Sequence, residues 1–231
     1  MNAATRAALP GARRGAARAA ADVLTLLVIA KEPLPGRVKT RLTPPYTPRE
    51  AAALAEAALT DTLRAVLAAP AARRVLVLDG RPGSWLPAGF EILPQVPGGL
   101  DERLAAAFSS CAGPALLIGM DTPQVTGALL AAAGAAVVRG PRTAVFGPAA
   151  DGGFWALGLS EPEGALVRGV RMSRADTGRV QLGRLLAAGL SVHELPVLRD
   201  VDTAADAVSV ATEAPHTLFA HTLTSAVPSP G

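Results

Sequence analysis

An apolar run that leads directly into a basic loop constrains the fold of this chain more than any other stretch. Residues 23–30 are almost entirely apolar, include β-branched Val and Ile, and have the length of a buried strand. The loop that follows is punctuated by Pro33, Pro35 and Gly36. It also carries four cations and a hydroxyl group, namely Lys31, Arg37, Lys39, Arg41 and Thr40. A buried strand with a cation-rich, Gly-containing loop at its carboxyl end is how α/β proteins hold phosphate groups. A solvated basic loop is the alternative.

The composition is that of a globular protein rather than a disordered one. Half of the 231 residues are apolar and 18% are charged, and the net charge is only +3. No apolar run approaches the roughly 18 residues that a membrane span requires. Cys111 is the single cysteine, which excludes a disulfide framework and a Cys-based metal site. We therefore expect a soluble, cytoplasmic protein without a nucleic-acid partner.

The two ends of the chain differ in composition from its middle. Residues 1–21 are rich in Ala and Arg and contain no acid, and they lack the apolar core of a secretory signal. From about residue 212 the chain turns to Pro, Ser, Thr and His. We predict a disordered extension over 1–21, one folded domain over 22–211 and a disordered tail over 212–231. Targeting and contact with nucleic acid are the alternatives for the Arg-rich extension.

Between these ends, predicted strands alternate with predicted helices. Thr47, Pro48 and Glu50 form a capping-box pattern that predicts a helix over about 48–69. Thr122 and Pro123 predict the start of a later helix. Further strands are predicted over 74–79, 91–93, 115–120, 143–148, 153–159 and 191–195. This alternation predicts an α/β fold with a mainly parallel, mixed sheet and helices on both faces. Two strands follow each other near Asp151, so an antiparallel element is expected there.

Carboxylates follow two of the predicted strands. Asp121 comes directly after the strand at 115–120, on the edge of the sheet where α/β proteins bind ligands, and it can hold a divalent cation against a diphosphate. Asp200 and Asp202 form a second acidic pair, of which we expect Asp202 to face the site because alternate residues of an extended segment face opposite sides. The alternative for Asp121 and for Asp202 is capping of the next helix.

A turn with two glycines supplies the remaining candidates. Asp151 precedes Gly152 and Gly153, which indicates either a close approach to a ligand or an ordinary hairpin. Phe154 and Trp155 follow, and core packing is the simpler explanation for these aromatic side chains. No histidine stands at a recognisable spacing from Ser or Cys, which argues against a hydrolase with a Ser or Cys nucleophile.

Five blocks of sequence occur in the order that is typical of one bacterial family. They are Lys31-x-Pro33-x-Pro35-Gly36-x-Val38-Lys39-Thr40-Arg41-Leu42, Leu100-x-x-Arg103-Leu104, Gly119-Met120-Asp121-Thr122-Pro123, Gly147-Pro148-Ala149-x-Asp151-Gly152-Gly153-Phe154 and Asp200-Val201-Asp202-Thr203. Together they resemble glycosyltransferase-like proteins with the nucleotide-diphospho-sugar transferase (GT-A) fold, of the arsenosugar-biosynthesis glycosyltransferase type. Met172 and Phe154 depart from the usual Trp and Tyr of that family.

The resemblance implies a role for each block. The first loop would wrap a nucleotide diphosphate, with Lys39 and Arg41 as its cations. Asp121 would hold Mg²⁺ or Mn²⁺, with Asp202 as a second ligand. The remaining implied positions are Lys31, Gly36, Thr40 and Arg103 on the nucleotide and phosphate side, Gly152, Gly153 and Phe154 on the acceptor side, and Asp151 as the catalytic base.

Two other activities fit the same residues. Nucleotidyltransferases that guanylylate or cytidylylate a phosphorylated small molecule share the fold, the basic loop and the carboxylates. They attack the α-phosphate of a triphosphate and release pyrophosphate. A non-catalytic nucleotide-binding module is the third possibility. The spacing of Pro33, Pro35 and Gly36 and the block around Asp151 favour the glycosyltransferase-like group. The partners expected are therefore a nucleotide sugar, or a nucleoside triphosphate, and a small-molecule acceptor.

Overall fold

A seven-stranded mixed sheet forms the centre of the molecule. The computed structural model describes residues 22–226. The strands are β1 (Thr25–Lys31), β2 (Arg73–Asp79), β3 (Glu91–Pro94), β4 (Ala115–Gly119), β5 (Thr143–Pro148), β6 (Phe154–Leu159) and β7 (Ser191–Glu194). They lie in the order β3-β2-β1-β4-β6-β5-β7, and β6 alone runs antiparallel to its neighbours β4 and β5. The predicted α/β fold is confirmed, including the antiparallel element near Asp151.

Helices cover both faces of this sheet. They are α1 (Pro48–Ala68), α2 (Leu100–Ser109), α3 (Gly127–Val137), α4 (Thr177–Ala187), α5 (Ala204–Glu213) and α6 (Leu218–Ser225). Alternate residues of β1 point to opposite faces: Leu26 and Val28 pack with α1 and α3, whereas Leu27 packs with α2 and α4. A strand buried on both faces needs a nearly continuous apolar sequence, which is why this run stood out.

Helix α1 begins where its capping pattern predicts. The Thr47 side chain accepts a hydrogen bond from the Glu50 N–H, and the Glu50 carboxylate accepts one from the Thr47 N–H. The prediction for Thr122 was wrong, because α3 begins only after Thr126, whose side chain caps Leu129 N. Thr122 is instead buried in the connection after β4.

The predicted disordered tail is contradicted over its described part. Helix α5 continues to Glu213, and α6 then packs against α1 with Phe219 fully buried. On α1, the Asp61 carboxylate accepts hydrogen bonds from the N–H groups of Leu218 and Phe219, at 3.1 and 2.8 Å. The polar composition of this segment led to the prediction of disorder. The segment is instead a helix whose first turn is capped by a side chain distant in sequence. The predicted extension over 1–21 and the tail beyond 226 lie outside the described residues.

Candidate functional site

The basic loop leaves β1 at the middle of the sheet, where the strand order reverses. From β1 the chain moves outward to β2 and β3 on one side, and β4 then pairs with β1 on the other. In open α/β sheets, ligands bind beyond the carboxyl ends of the strands at such a reversal. Gly36, with a φ of 75°, forms a tight turn in the loop, in which the Arg37 N–H donates to the Leu34 carbonyl. The loop ends in a single 3-10 turn over Thr40–Leu42.

Lys39 turns inward from this loop and meets the carboxylate that follows β4. Its ammonium nitrogen lies 2.6 Å from Asp121 Oδ1, and its side chain is only 8% exposed. The Asp121 carboxylate is 41% exposed and therefore reaches the surface of the crevice. Its Oδ1 atom is buried and accepts no hydrogen bond within the described residues, so the contact with Lys39 is one between charges. Helix α3 is capped by Thr126, so capping of that helix does not explain Asp121.

A third segment, from the region before α5, completes this contact. The Lys39 ammonium group donates a hydrogen bond to the carbonyl oxygen of Val201. The Val201 N–H in turn donates to the backbone carbonyl of Asp121, at 2.9 Å. Lys39, Asp121 and Val201 thus connect three segments that are far apart in sequence.

The two acids that flank Val201 have different surroundings. Asp202 forms an ion pair with Arg41, and both side chains are partly or largely exposed. Asp200 is half-buried, and burial together with the charges of Asp121 and Asp151 raises its pKa to about 7, against the opposing effect of Lys39. Neither acid caps α5, because Thr203 and Asp206 form that capping box. Our expectation that Asp202 faces the site stays a prediction, and Asp200 is also close enough to Asp121 for the charge of that carboxylate to act on it.

The Asp151 turn reaches the same crevice from the hairpin between β5 and β6. Asp151 Oδ1 accepts a hydrogen bond from the Gly153 N–H at 2.8 Å, which fixes the turn. The Ala150 N–H donates to the Leu198 carbonyl at 2.8 Å and so ties the turn to the segment that carries Asp200. The carboxylates of residues 121, 151 and 202 all lie near enough to Asp200 for their charges to act on it, which places the four acids at one end of the sheet.

The other predicted residues have simpler surroundings. Lys31 and Thr40 are exposed on the loop. Phe154 is half-buried and packs against Phe146, with ring centroids 5.8 Å apart, so core packing accounts for it. Gly152 packs against the backbone of Ala175, where a side chain would not fit.

Arg103 is held by protein groups rather than left free. Its guanidinium donates to Asp79 Oδ2 at 3.0 Å and to Gln95 Oε1 at 2.9 Å, and also to the Gly98 carbonyl. Gln95 binds the carbonyl groups of Ala30 and Val77 at the ends of β1 and β2. Asp79 and Gln95 were not among the residues predicted from the sequence patterns. The position of Asp79 at the end of a predicted strand was the signal that could have identified it.

The carboxylates suit a hard divalent cation. Oxygen ligands are what Mg²⁺ and Mn²⁺ prefer, and Mg²⁺ is usually held by one or two carboxylates together with substrate phosphates. Within residues 22–226, no group of three or more His, Cys, Asp or Glu side chains is placed so that it could hold a metal ion by itself. Asp121 Oδ1 is buried without a hydrogen bond to any described residue, and the pKa of Asp200 is raised first by burial and then by the charges of neighbouring carboxylates. A cation beside these groups would stabilise their charged forms. The donor set therefore fits a metal shared with a phosphate-bearing ligand.

Comparison with known protein sequences identifies one family. A family model described as "Uncharacterized protein conserved in bacteria (DUF2064)" matches residues 53–174, which is more than half of the chain. No curated protein matches the sequence significantly. Among the helices of residues 22–226, none has both the length and the apolar character needed to cross a membrane.

Solved structures extend the comparison over most of the chain. A protein from Desulfovibrio desulfuricans G20, provisionally named a nucleotide-diphospho-sugar transferase, is 25% identical with a TM-score of 0.77 over 87% of this chain and 94% of that one. The 2-C-methyl-D-erythritol 4-phosphate cytidylyltransferase of Thermus thermophilus is 18% identical with a TM-score of 0.51, over 84% and 99%. Rv0371c of Mycobacterium tuberculosis H37Rv, solved with manganese, is more distant, at 22% identity and a TM-score of 0.48 over 81% and 97%. The chain thus has a fold that it shares with nucleotide-using transferases.

Proposed function

We propose that this chain, which belongs to the bacterial family described as "Uncharacterized protein conserved in bacteria (DUF2064)", is a metal-dependent glycosyltransferase. It would transfer a sugar from a nucleotide-diphospho-sugar to a small-molecule acceptor. The more specific proposal, an activity of the arsenosugar-biosynthesis type, rests on the order of the five sequence blocks. The similarity to the Desulfovibrio protein over 87% of the chain supports the donor class.

One observation carries this proposal. The loop cation Lys39 and the carboxylate of Asp121 meet at 2.6 Å where the strand order reverses. A diphosphate with its divalent cation needs ammonium or guanidinium groups for its oxygens and carboxylates for the metal, within a few ångströms of each other. The solvated-loop alternative does not account for a Lys side chain that is almost entirely buried.

The chain's own residues divide the reaction between them. Asp121 would hold the metal, with Asp200 or Asp202 as a second carboxylate, and a metal bound there supplies charge stabilisation for the departing diphosphate. Lys39 and Arg41 would bind the diphosphate oxygens as negative charge develops on them. The acceptor oxygen attacks the anomeric carbon, the bond from that carbon to the diphosphate oxygen breaks, and Asp151 takes the acceptor proton.

Nucleotidyl transfer is the second candidate. The similarity to a cytidylyltransferase structure over 84% of the chain is the observation that supports it. In that reaction, an acceptor phosphate oxygen attacks the α-phosphate of a nucleoside triphosphate. The bond between the α-phosphorus and the bridging oxygen breaks, and pyrophosphate leaves. The same cations and carboxylates would serve both reactions, since each has a phosphate leaving group.

Phosphorus NMR with the purified full chain separates the two activities. One set of samples contains mixed nucleotide sugars and the other mixed nucleoside triphosphates, each with Mg²⁺ or Mn²⁺ and with or without cell extract as a source of acceptor. Release of nucleoside diphosphate from one sugar nucleotide supports glycosyl transfer, and pyrophosphate from one triphosphate supports nucleotidyl transfer. Line broadening without turnover in the samples with Mg²⁺ argues for the non-catalytic binding module; the samples with Mn²⁺ serve only for turnover, because this paramagnetic ion broadens phosphorus signals by itself.

Asp121→Asn is the variant that tests the site itself. We expect turnover to fall by a factor on the order of 100 or more, because the metal loses its charged ligand. Glu161→Gln is the matched control, since Glu161 is exposed at the opposite end of β6. Both variants should keep the circular dichroism spectrum of the parent. Full turnover in Asp121→Asn would remove this residue from the mechanism.

A further inference from the structure

We propose that the basic loop and the crevice carboxylates act as each other's counter-ions, so that the site accepts a divalent cation and a diphosphate together and binds either one alone poorly. This inference rests on the proposed function and specifies its ligand: a metal–diphosphate complex rather than a free diphosphate or a free metal. The contact between Lys39 and Asp121 would then select the metal–diphosphate complex over the free metal and the free diphosphate.

The first pair of counter-ions is Lys39 with Asp121. The ammonium group touches a buried carboxylate oxygen and donates a hydrogen bond to the Val201 carbonyl, both of which are oxygen ligands that a metal ion would also use. The ammonium group therefore occupies the position of a cation among these oxygens. A metal ion that binds there has to displace Lys39.

The second pair is Arg41 with Asp202, which lie close to the first pair along the loop and the segment around Val201. This pair is more exposed than the first, so water screens it more strongly. Both Lys39 and Arg41 join the basic loop to the segment around Val201. Opening of one pair moves the loop away from the carboxylates and weakens the other.

An exchange of ionic partners explains why the metal ion and the diphosphate would each bind better in the presence of the other. A metal ion alone would take the carboxylates and leave the cations of the loop unpaired beside it, which is unfavourable where Lys39 is desolvated. A diphosphate alone would take the cations and leave the carboxylates unpaired. When both arrive, each charged group exchanges one partner for another, and the binding of one ligand strengthens the binding of the other.

The metal half of this proposal is tested with Mn²⁺ alone, followed by the electron paramagnetic resonance signal of the free ion. Because Lys39→Met and Arg41→Met remove the competing cations, we expect Mn²⁺ to bind more tightly to both, by about tenfold for Lys39→Met and less for Arg41→Met. Arg37→Met is the matched control: Arg37 is an exposed cation of the same loop, and no carboxylate is paired with it among the described residues. The control should bind Mn²⁺ as the parent does.

The anion half is tested with inorganic pyrophosphate in the presence of EDTA, by isothermal titration calorimetry. Asp121→Asn frees Lys39, so pyrophosphate should bind this variant more tightly than the parent, by about tenfold. Glu161→Gln serves as the control for a change of net charge away from the crevice, and we expect no change. Melting temperatures of all the variants are recorded, and Arg41→Met, which alters an exposed pair, covers the case in which Lys39→Met fails to fold.

The outcomes separate this inference from the proposed function. Equal or weaker Mn²⁺ binding by Lys39→Met and Arg41→Met would overturn the counter-ion model and leave the proposed function in place, provided that the parent chain turns over a nucleotide donor. Absence of Mn²⁺ binding in every variant, together with absence of turnover, would overturn both. Tighter binding in the two loop variants and an unchanged control would support the model.

Discussion

Lys39 is held at the crevice in an unfavourable backbone conformation. Its backbone adopts the left-handed conformation, with a φ of 50°, which costs a non-glycine residue on the order of 1–3 kcal/mol. This conformation directs the side chain toward Asp121 and Val201 rather than into solvent. Strained backbone in proteins concentrates at ligand sites, because the surrounding contacts there hold the residue in position.

Asp200 gives a pH dependence whose sign follows from its surroundings. Burial and the neighbouring carboxylates raise its pKa from 3.8 to about 7 in the folded chain. Between these values the folded chain binds a proton that the unfolded chain has lost, so the free energy of unfolding falls as the pH rises from about 4 to about 7. Asp200→Asn, which stays neutral, should lose this contribution and exceed the parent in stability above pH 7.

Urea denaturation at pH 5 and pH 8, in buffers with EDTA, measures this difference. The control is Asp176→Asn, because Asp176 is an exposed acid at the start of α4. We expect the stability of the control to follow that of the parent at both values of pH. If Asp200→Asn also follows the parent, Asp200 does not have the raised pKa.

At the scale of elements, the turn between β5 and β6 depends on close packing against the residues before α4. Gly152 has a φ of 88°, and a Cβ atom there would lie 2.1 Å from the carbonyl oxygen of Ala175. The Gly178 N–H donates to the Gly152 carbonyl at 2.8 Å, which fixes the distance between the two segments. The glycine is therefore required by packing as well as by conformation, and it positions Asp151 next to it.

Gly152→Ala should therefore reduce the stability of the fold more than the same change at a glycine that has a similar φ but no atoms near the position of its Cβ. Gly169 provides that comparison, since its φ is 82° and a Cβ atom at that position would have no neighbour within 4 Å. We expect Gly169→Ala to lose about 1 kcal/mol of stability, and Gly152→Ala to lose more and to reduce turnover as Asp151 moves. Thermal denaturation and the phosphorus NMR assay measure the two effects. Equal losses would show that packing against Ala175 does not matter.

At the scale of the whole molecule, the C-terminal helices extend the core around α1. A cluster of buried side chains joins the basic loop, α1, α5 and α6, and its members include Leu42, Tyr46, Leu54, Val201, Val210 and Phe219. Leu42 directly follows the loop cations, and Val201 provides the carbonyl that binds Lys39. The helices at the end of the chain therefore support both sides of the candidate site.

Truncation tests this dependence. A chain that ends at residue 226 should match the full chain, whereas one that ends at residue 211 loses α6 and the burial of Phe219, which by itself contributes about 1.5–3 kcal/mol. We expect a lower urea midpoint for the shorter chain and a weaker response of its stability to metal and diphosphate. Equal midpoints for the two truncated chains would show that the domain ends near residue 211 after all.

The sequence by itself determined most of the fold and the position of the basic loop. The apolar run before Lys31, the capping box at Thr47 and the alternation of elements are local patterns, and local patterns reflect the periodicity and backbone preferences of each element. The carboxyl end of a predicted parallel strand also placed Asp121 at the edge of the sheet where ligands bind. The Asp151 turn was linked to the site only through the family resemblance.

Only the tertiary structure decided which groups touch. The pairing of Lys39 with Asp121, the effect of the Asp121 charge on Asp200, and the capping of α6 by Asp61 each join residues about 80 to 160 positions apart. No local preference encodes such contacts, since they depend on how the helices pack and on which carboxylate is removed from water. For the same reason the polar C-terminal segment looked unfolded in the sequence, although Asp61 and the apolar surface of α1 hold it as a helix.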